Sequence, residues 1–332
     1  MSKVLIIAEA GVNHNGSLDT ALRLCDAAKK ANADIVKFQT WKTDLVLTRD
    51  VDMADYQKDN LGSSISQYDM AKQLELSYDD FQVIKGYCNE IGIIFLSTPD
   101  DIESLNFLLS MGMDTIKVGS GEVNNIPFLE EIGSRKKHVI LSTGMSNIEQ
   151  VESAYNTLTK SGCPKVSILH CTTSYPCPMD KVNLNAMITL KNKFNCNVGY
   201  SDHTQGIEVS LAAVAMGARI IEKHFTLDKE MKGPDHQASI NPTELASMVL
   251  AIRNIEKALG SHVKEPSQEE LEISKLIWRK IVAKVSIAKG EELNSNNLTF
   301  KRTSEGISVS EWNLVLGKSA NRNYEPDEPI KF

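Results

Sequence analysis

The chain has 332 residues, 42% hydrophobic and 24% charged, and 43 acidic against 36 basic side chains leave a net charge of −7. This is the composition of an ordinary globular protein, and the length suits one large domain with a small one attached. With no basic run and no apolar stretch near 18 residues, neither nucleic acid nor a membrane is an expected partner, and the opening apolar run stops at Glu9, too early for an export signal.

In chain order, short β-branched runs alternate with amphipathic helical stretches. "VLIIAEA" (4–10) leads to the helical pattern "SLDTALRLCDAAKKAN" (17–32) and then to "DIVKFQT" (34–40). A long insertion, 41–76, follows; connections of that length at a domain's edge are usually functional, and a short helix near 67–74 is expected to cover a site. Next come the helix pattern 77–92 and "IIFLST" (93–98), "TIKVGS" (115–120) and "HVILST" (138–143). The pattern 147–162 precedes "VSILHC" (166–171), and "NVGYSD" (197–202), the pattern 207–218, "RIIEKHF" (219–225) and the pattern 242–260 close the series. Eight strands, each with a helix after it, are the sequence form of an α/β fold of the parallel (β/α)8 TIM-barrel type. A doubly wound open sheet is the alternative, but no glycine-rich dinucleotide fingerprint follows the first strand. The barrel is expected over 1–260, a polar linker over 261–278, and a compact second domain of short strands and Gly/Asn turns over 279–332. Its small size sits near the lower limit for folding alone. The cysteines (25, 88, 163, 171, 177 and 196) form no C-x-x-C pair and read as reduced, small core residues of a cytoplasmic protein.

The polar residues collect late in the strands. Side chains alternate along a strand, so Ile220, Glu222 and His224 share one face, and Ile221, Lys223 and Phe225 the other. If the first face looks inward, His224 lies at the C-terminal mouth, where barrel active sites sit. Glu9, Gln39, Thr98, Ser120, Ser142, Thr172 or Thr173, Ser201 and His203 are late in their own strands too. His203 and His224 end neighbouring strands and can share a metal; two imidazoles with oxygen donors suit manganese or iron as well as zinc. The plainer alternative is a pair of hydrogen-bonded structural histidines. Lys37 and Lys117 share the phase of their strand interiors, and a lysine inside a barrel must meet an anion or lose its proton. With the hydroxyls of Ser120, Ser142 and Ser201 they frame a pocket for a compact phosphate or carboxylate; the alternative pairs them with Glu9, Glu122 or Glu222. Lys223, on the outward face, reads as a stem that snorkels to solvent. Asp235 reads as a turn residue and Arg302 as a surface arginine.

Several segments, in order along essentially the whole chain, resemble the sialic acid synthase family. They are "AEAGVNHNG" (8–16), "VKFQT" (36–40), "LSTP" (96–99), "IKVGSGEVNN" (116–125), "ILSTGM" (140–145), "HCTTSYPCP" (170–178), "GYSDHT" (199–204), "IEKHFTLD" (221–228) and "GPDHQAS" (233–239). "NLTFKR" (297–302) and "LGKSANRNY" (316–324) resemble the antifreeze-like (SAF) domain that follows the barrel in that family.

The resemblance implies a metal-dependent transferase that condenses phosphoenolpyruvate with an N-acetylated hexose and releases phosphate by C–O cleavage. It implies a domain-swapped homodimer in which each small domain caps the partner's barrel. Carried over by position, it implies a divalent metal on His203 and His224, manganese favoured and magnesium or cobalt the alternatives, with Glu122 close through water. It implies phosphoenolpyruvate on Lys37, Lys117, Ser120, Ser142 and Ser201 with Thr98 and Thr173 nearby. The sugar falls near Glu9, Gln39, Tyr175 and Asp235, with Arg302 arriving from the other protomer. Glu9 and Glu122 are the candidate proton handlers. Three positions depart from the family pattern: Asp100 stands where Phe is usual, "KRTSEGIS" lacks the usual Pro-Gly after Arg302, and Thr173 replaces the Asn common in N-acetylneuraminate synthases. Thr173 and "GPDHQAS" look more like the branch that makes N,N'-diacetyllegionaminic acid; the N-acetylneuraminate branch is the alternative, and the pseudaminic loop differs. A synthase for phosphorylated sugars would need arginines at the mouth, which are few here. A non-catalytic carbohydrate-binding protein would need neither the lysines nor the histidines.

Overall fold

A computed structural model describes residues 3–53 and 66–332; the segment 54–65 of the insertion lies outside the described residues. Eight parallel strands are present: β1 (Leu5–Gly11), β2 (Ile35–Thr40), β3 (Ile94–Pro99), β4 (Thr115–Val118), β5 (His138–Ser142), β6 (Lys165–Cys171), β7 (Val198–Asp202) and β8 (Ile220–His224). They run in the spatial order β3-β2-β1-β8-β7-β6-β5-β4, and β3 and β4 lie side by side, so the sheet curls into a nearly closed TIM-type barrel. First and last strands meet with Ile7 opposite Glu222 and Glu9 opposite His224. Strands covered on both faces must be almost continuously apolar, and Ile6, Ile7, Val36, Phe38, Ile116, Val139, Ile140, Ile168, Leu169 and Ile221 accordingly belong to one buried cluster.

The helices start where side chains can satisfy the first free amides. Ser77, Asn147 and Asn241 each close a capping box, with Asp80, Gln150 and Glu244, at the helices Tyr78–Ile91, Ile148–Lys160 and Pro242–Ala258. Leu18–Lys30 and Glu208–Ala215 lie where the helical patterns 17–32 and 207–218 put them, and Ile102–Ser110, Ile126–Ser134 and Ala186–Phe194 complete the outer layer. The insertion carries the helix Gln67–Leu74. One irregularity matters for the site. The β1–β2 register shifts between Glu9 and Gly11, and Gly11 sits at φ +51°, a conformation that favours glycine. A Cβ there would come within 3.3 Å of a Glu9 carboxylate oxygen.

The chain divides into two compact units at Gly260/Ser261. In the second, β9 (Arg279–Ala283) and β10 (Leu298–Arg302) form an antiparallel pair over a small core of Ile281, Ile287, Leu293, Leu298, Tyr324 and Ile330. The stretch 261–278, read as a polar linker, contains the ten-residue helix Gln268–Ile277. A Ser267–Glu270 capping box nucleates it, and the polarity that suggested a linker is that of a solvated helix face. Among the described residues no helix is long and apolar enough to cross a membrane.

Candidate active site

The inward-facing strand ends converge on a cavity of about 180 Å³ lined by Glu9, Lys37, Gln39, Thr98, Lys117, Ser120, Ser142, Thr173, Tyr175, Ser201, His203 and His224. The same cavity takes in Glu222, Asp100, Met145 and Cys171. An outer chamber of about 240 Å³ shares Gln39, Asp100, Tyr175 and His224 and adds Asp235, Trp41 and, from the insertion helix, Gln67, Met70 and Leu74. The described parts of the insertion therefore line the outer chamber, where a covering segment was expected. Arg302 ends β10 in the second unit and is exposed there.

At the floor, four charged groups form one network. Lys37 Nζ lies 2.9 Å from Glu9 Oε2 and 3.8 Å from Glu222 Oε2, and donates to Thr98 Oγ1 at 3.0 Å. Lys117 Nζ lies 3.6 Å from Glu222 Oε1 and donates to Ser142 Oγ at 2.8 Å and to the Val118 carbonyl at 3.1 Å. Ser201 Oγ donates to Glu222 at 2.9 Å, and Gln39 Nε2 to Glu9 at 3.3 Å. The lysines thus meet carboxylates, the alternative open from the sequence. Only Glu222 lies between the two ammonium groups, and Glu9 can take up a proton near neutrality, so the floor can still offer positive charge to a multivalent anion.

The carboxylates divide the roles. Burial works against ionised Glu222, but Lys117 and Lys37 outweigh it and pull its pKa to about 2. Burial raises Glu9 to about 7, against the pull of Lys37 and with the push of Glu222. Lys37 is held above its ordinary value because Glu222 and Glu9 outweigh the burial that lowers it; burial brings Lys117 below its own. Glu222 thus keeps its charge, and Glu9 is the group poised to exchange a proton near neutrality. Asp100 is likewise raised to about 7, by burial and then by Glu122, and Asp235 to about 6 by burial.

A stability prediction follows from Glu9. Its folded-state pKa lies above its ordinary value, so its contribution is fully present below about 4.5 and lost as pH rises through 7. A shift of that size corresponds to up to about 3 kcal/mol, at roughly 1.4 kcal/mol per unit. The melting temperature of Glu9→Gln relative to the parent should therefore rise by a few degrees between pH 5.5 and 8.5. Parallel melting curves across that range would contradict the assignment.

His203 and His224 face each other with ring centroids 5.3 Å apart and planes at 69°. His203 Nδ1 lies 2.8 Å from the Thr172 carbonyl, so the neutral ring carries its proton there and leaves Nε2 a lone pair; burial lowers its pKa, but Cys171 and then the Thr172 carbonyl outweigh it and hold it above the ordinary histidine value. Tyr175 packs over this ring at 4.1 Å. His224 Nδ1 is buried without a hydrogen-bond partner, 3.8 Å from Asp235 Oδ2. Burial, then His203 and Lys37, hold His224 well below the usual histidine range, so it stays neutral. An orphaned imidazole nitrogen facing a second neutral-capable ring fits a divalent cation. Among the described residues no three His, Cys, Asp or Glu side chains gather as ligands, so further positions are open to oxygen atoms of substrate and water.

Sequence reasoning and structure part at several residues. Glu122 is not among the cavity-lining residues; its carboxylate accepts from Asn125 Nδ2 at 2.6 Å, inside the turn that starts the next helix. Of the two proton candidates, the geometry favours Glu9. Lys223 does not snorkel: it is fully buried and paired with Asp202 at 3.1 Å. Glu222, named only as a neighbour for the lysines, is the hub of the floor network. Its signal was present: it shares the inward phase of His224. Cys171, taken as a core thiol, lines the cavity 3.8 Å from His203 Nδ1 and 3.7 Å from Ser120 Oγ. Gly144 is required there, since a Cβ would come within 2.2 Å of Thr173 Oγ1.

The NeuB family profile matches residues 24–264 and the SAF domain profile residues 279–332. The chain is 46% identical over its full length, and that of the relative, to an N,N'-diacetyllegionaminic acid synthase of Campylobacter jejuni subsp. jejuni. It is 44% identical to the protein of the same description in Legionella pneumophila, over 96% of this chain and 90% of that one. The crystal structure of a sialic acid synthetase from Leptospira borgpetersenii, determined with citrate, aligns with TM-score 0.72 and 36% identity over 83% of this chain and 93% of that one.

Proposed function

The chain belongs to the NeuB family, and from that membership we propose that it condenses phosphoenolpyruvate with an N-acetylated mannose-type sugar to form a nine-carbon nonulosonic acid. The favoured product is N,N'-diacetyllegionaminic acid, because the full-length relatives at 46% and 44% identity are described as synthases of that acid. The observation that carries the reading is the pair of buried lysines meeting over one cavity beside the two histidines.

Lys37 and Lys117 hold the phosphate and carboxylate, with Ser142, Ser120 and Ser201 supplying hydroxyls around them. Fixing both anionic groups places C3 of phosphoenolpyruvate against the aldehyde carbon of the open-chain sugar, and positioning of this kind contributes roughly 7–11 kcal/mol. The C3–C1 bond forms from the enol π-electrons, water adds at C2, and phosphate leaves with its bridging oxygen. The added water gives up both of its protons, one to the aldehyde oxygen as it becomes a hydroxyl and one to the departing phosphate as the C2 carbonyl forms. Glu9, near half-protonated at neutral pH and oriented by the hydrogen bond it accepts from Gln39 Nε2, handles the exchange. Tyr175 and Asp235 face the sugar from the outer chamber. His203 and His224 would hold the divalent cation, manganese favoured, whose Lewis acidity polarises the sugar carbonyl when bound.

Phosphate release from phosphoenolpyruvate, measured over a panel of N-acetylated mannoses with and without manganese, tests the reading. The 2,4-diacetamido-2,4,6-trideoxy sugar should be turned over fastest; preference for N-acetylmannosamine would move the product to N-acetylneuraminate. No release with any sugar would overturn the proposal. Phosphoenolpyruvate labelled with oxygen-18 at the bridging position should deliver the label to phosphate, and label found in the sugar acid instead would rule out C–O cleavage.

The proposed assembly is the family's domain-swapped homodimer, with Arg302 of each small domain reaching the partner's barrel. Arg302→Ala should then raise the sugar KM by about 10- to 100-fold, as a charged hydrogen bond is worth roughly 1.5–3 kcal/mol. Mixed with a variant inactive in the barrel, it should recover part of the activity; a mixture no better than its components would place Arg302 outside the partner's site.

A further inference from the structure

A lysine in the outer wall of the barrel is costly unless something specific is obtained from it. Lys223 is fully buried, and its ammonium group meets Asp202 Oδ2 at 3.1 Å and donates to the Thr204 carbonyl. Asp202 is as deeply buried and fully engaged: Oδ1 accepts from Thr204 N at 2.9 Å and Thr204 Oγ1 at 2.7 Å, and Oδ2 from Ser210 Oγ at 2.7 Å. Replacing such a pair by apolar side chains is often neutral or stabilising, so stability alone does not account for it. What the pair supplies is direction, since its donors and acceptors meet in one arrangement only.

That arrangement sits at the strand ends that carry the imidazoles. Asp202 and Lys223 are direct ladder partners between β7 and β8. His203 and His224 are the next residues, the first just past the end of β7 and the second the last of β8, and line the cavity while the ion pair lies behind them. The Thr204 carbonyl that receives Lys223 lies one residue beyond His203, so the ammonium group grips the chain on both sides of that ring. Ser210 ties the same carboxylate to the helix Glu208–Ala215.

We propose that Lys223 and Asp202 are positioning residues whose ion pair clamps the ends of β7 and β8 and thereby sets the relative placement of the His203 and His224 rings. The consequence for cation binding rests on the metal reading of those histidines; the clamp itself does not.

The test uses the full-length protein as Lys223→Met, as the double variant Asp202→Leu/Lys223→Met, and as Ser210→Ala, which removes a single donor to Asp202. Two readouts are needed: the imidazole nitrogen resonances of the metal-free protein by NMR, and manganese affinity from the free-ion EPR signal. In the double variant, folded by circular dichroism, the His203 and His224 resonances should move while those of His138 and His262 stay. Manganese affinity should fall about 10- to 100-fold, the usual scale for losing an outer partner of a metal ligand, with the KM for phosphoenolpyruvate unchanged. Ser210→Ala should shift the same resonances less. Unmoved resonances in Ser210→Ala and in whichever Lys223 variants fold would overturn the clamp. Resonances that move in a protein whose parent binds no manganese would leave the clamp standing and remove the metal reading instead.

Discussion

Replacing Lys117 by methionine is expected to lower kcat/KM for phosphoenolpyruvate on the order of 10³-fold, because it removes one of two buried ammonium groups from the floor of the cavity. In the ligand-free protein Lys117 is 3.6 Å from Glu222 and donates to Ser142. Methionine keeps the volume and the stem but none of the charge. A buried charge left without its partner costs about 3–5 kcal/mol, and here the group left short is the substrate's own phosphate or carboxylate. The same deletion strands Glu222, so some loss of thermal stability should accompany it. The double variant Lys117→Met/Glu222→Gln separates the two effects: it should recover stability without recovering turnover. Steady-state kinetics with each variant checks this, and a loss below tenfold in a properly folded Lys117→Met protein would remove Lys117 from the anion site.

Removal of either imidazole is expected to reduce manganese-stimulated phosphate release to the level of the chelated parent. Polarisation of a carbonyl by a bound cation is worth several kcal/mol, so a fall of about 10³-fold or more is anticipated for His203→Ala and for His224→Ala. The two should differ in what else they disturb. His203 is anchored by the Thr172 carbonyl and packed by Tyr175, so its loss also loosens the wall toward the sugar and should raise the sugar KM. His224 Nδ1 has no hydrogen bond to lose, and its removal should act on kcat with little change in melting temperature. A His224→Ala enzyme that runs at the parent rate after exhaustive chelation would exclude these histidines from any metal role.

Much of the molecule was readable before its structure. The eight strands appear within a residue or two of their expected limits because parallel barrel strands, buried on both faces, must be mostly β-branched and apolar. Period-two alternation put Lys37, Lys117 and His224 on the inward face, and position late in the strand singled out Ser142 and Ser201; all five line the cavity. The helix Gln67–Leu74 stands where a short helix near 67–74 was expected, and the structure adds its cap, Ser66 accepting from Asp69 N. What failed was partnership. Lys223 read as a snorkelling stem because nothing in "EKHF" reveals that Asp202, 21 positions earlier, stands beside it. Nor does "GSGEVNN" reveal that Glu122, two positions after Ser120, accepts from Asn125 while it pushes up the pKa of Asp100 in the cavity.

The sequence by itself determined the barrel, the end at which its chemistry gathers and the identity of the charged groups there, since these depend on periodicity and on strands that repeat one after another. Only the tertiary structure decided which of those groups keeps its charge and which exchanges a proton near neutrality. Glu9 and Glu222 are the same kind of carboxyl group on neighbouring strands; they diverge to about 7 and about 2 because one lies between two lysines and the other beside a single shared one. Coulomb energies in a buried site change steeply over an ångström or two, and such separations between residues more than 20 positions apart exist only once the sheet has closed.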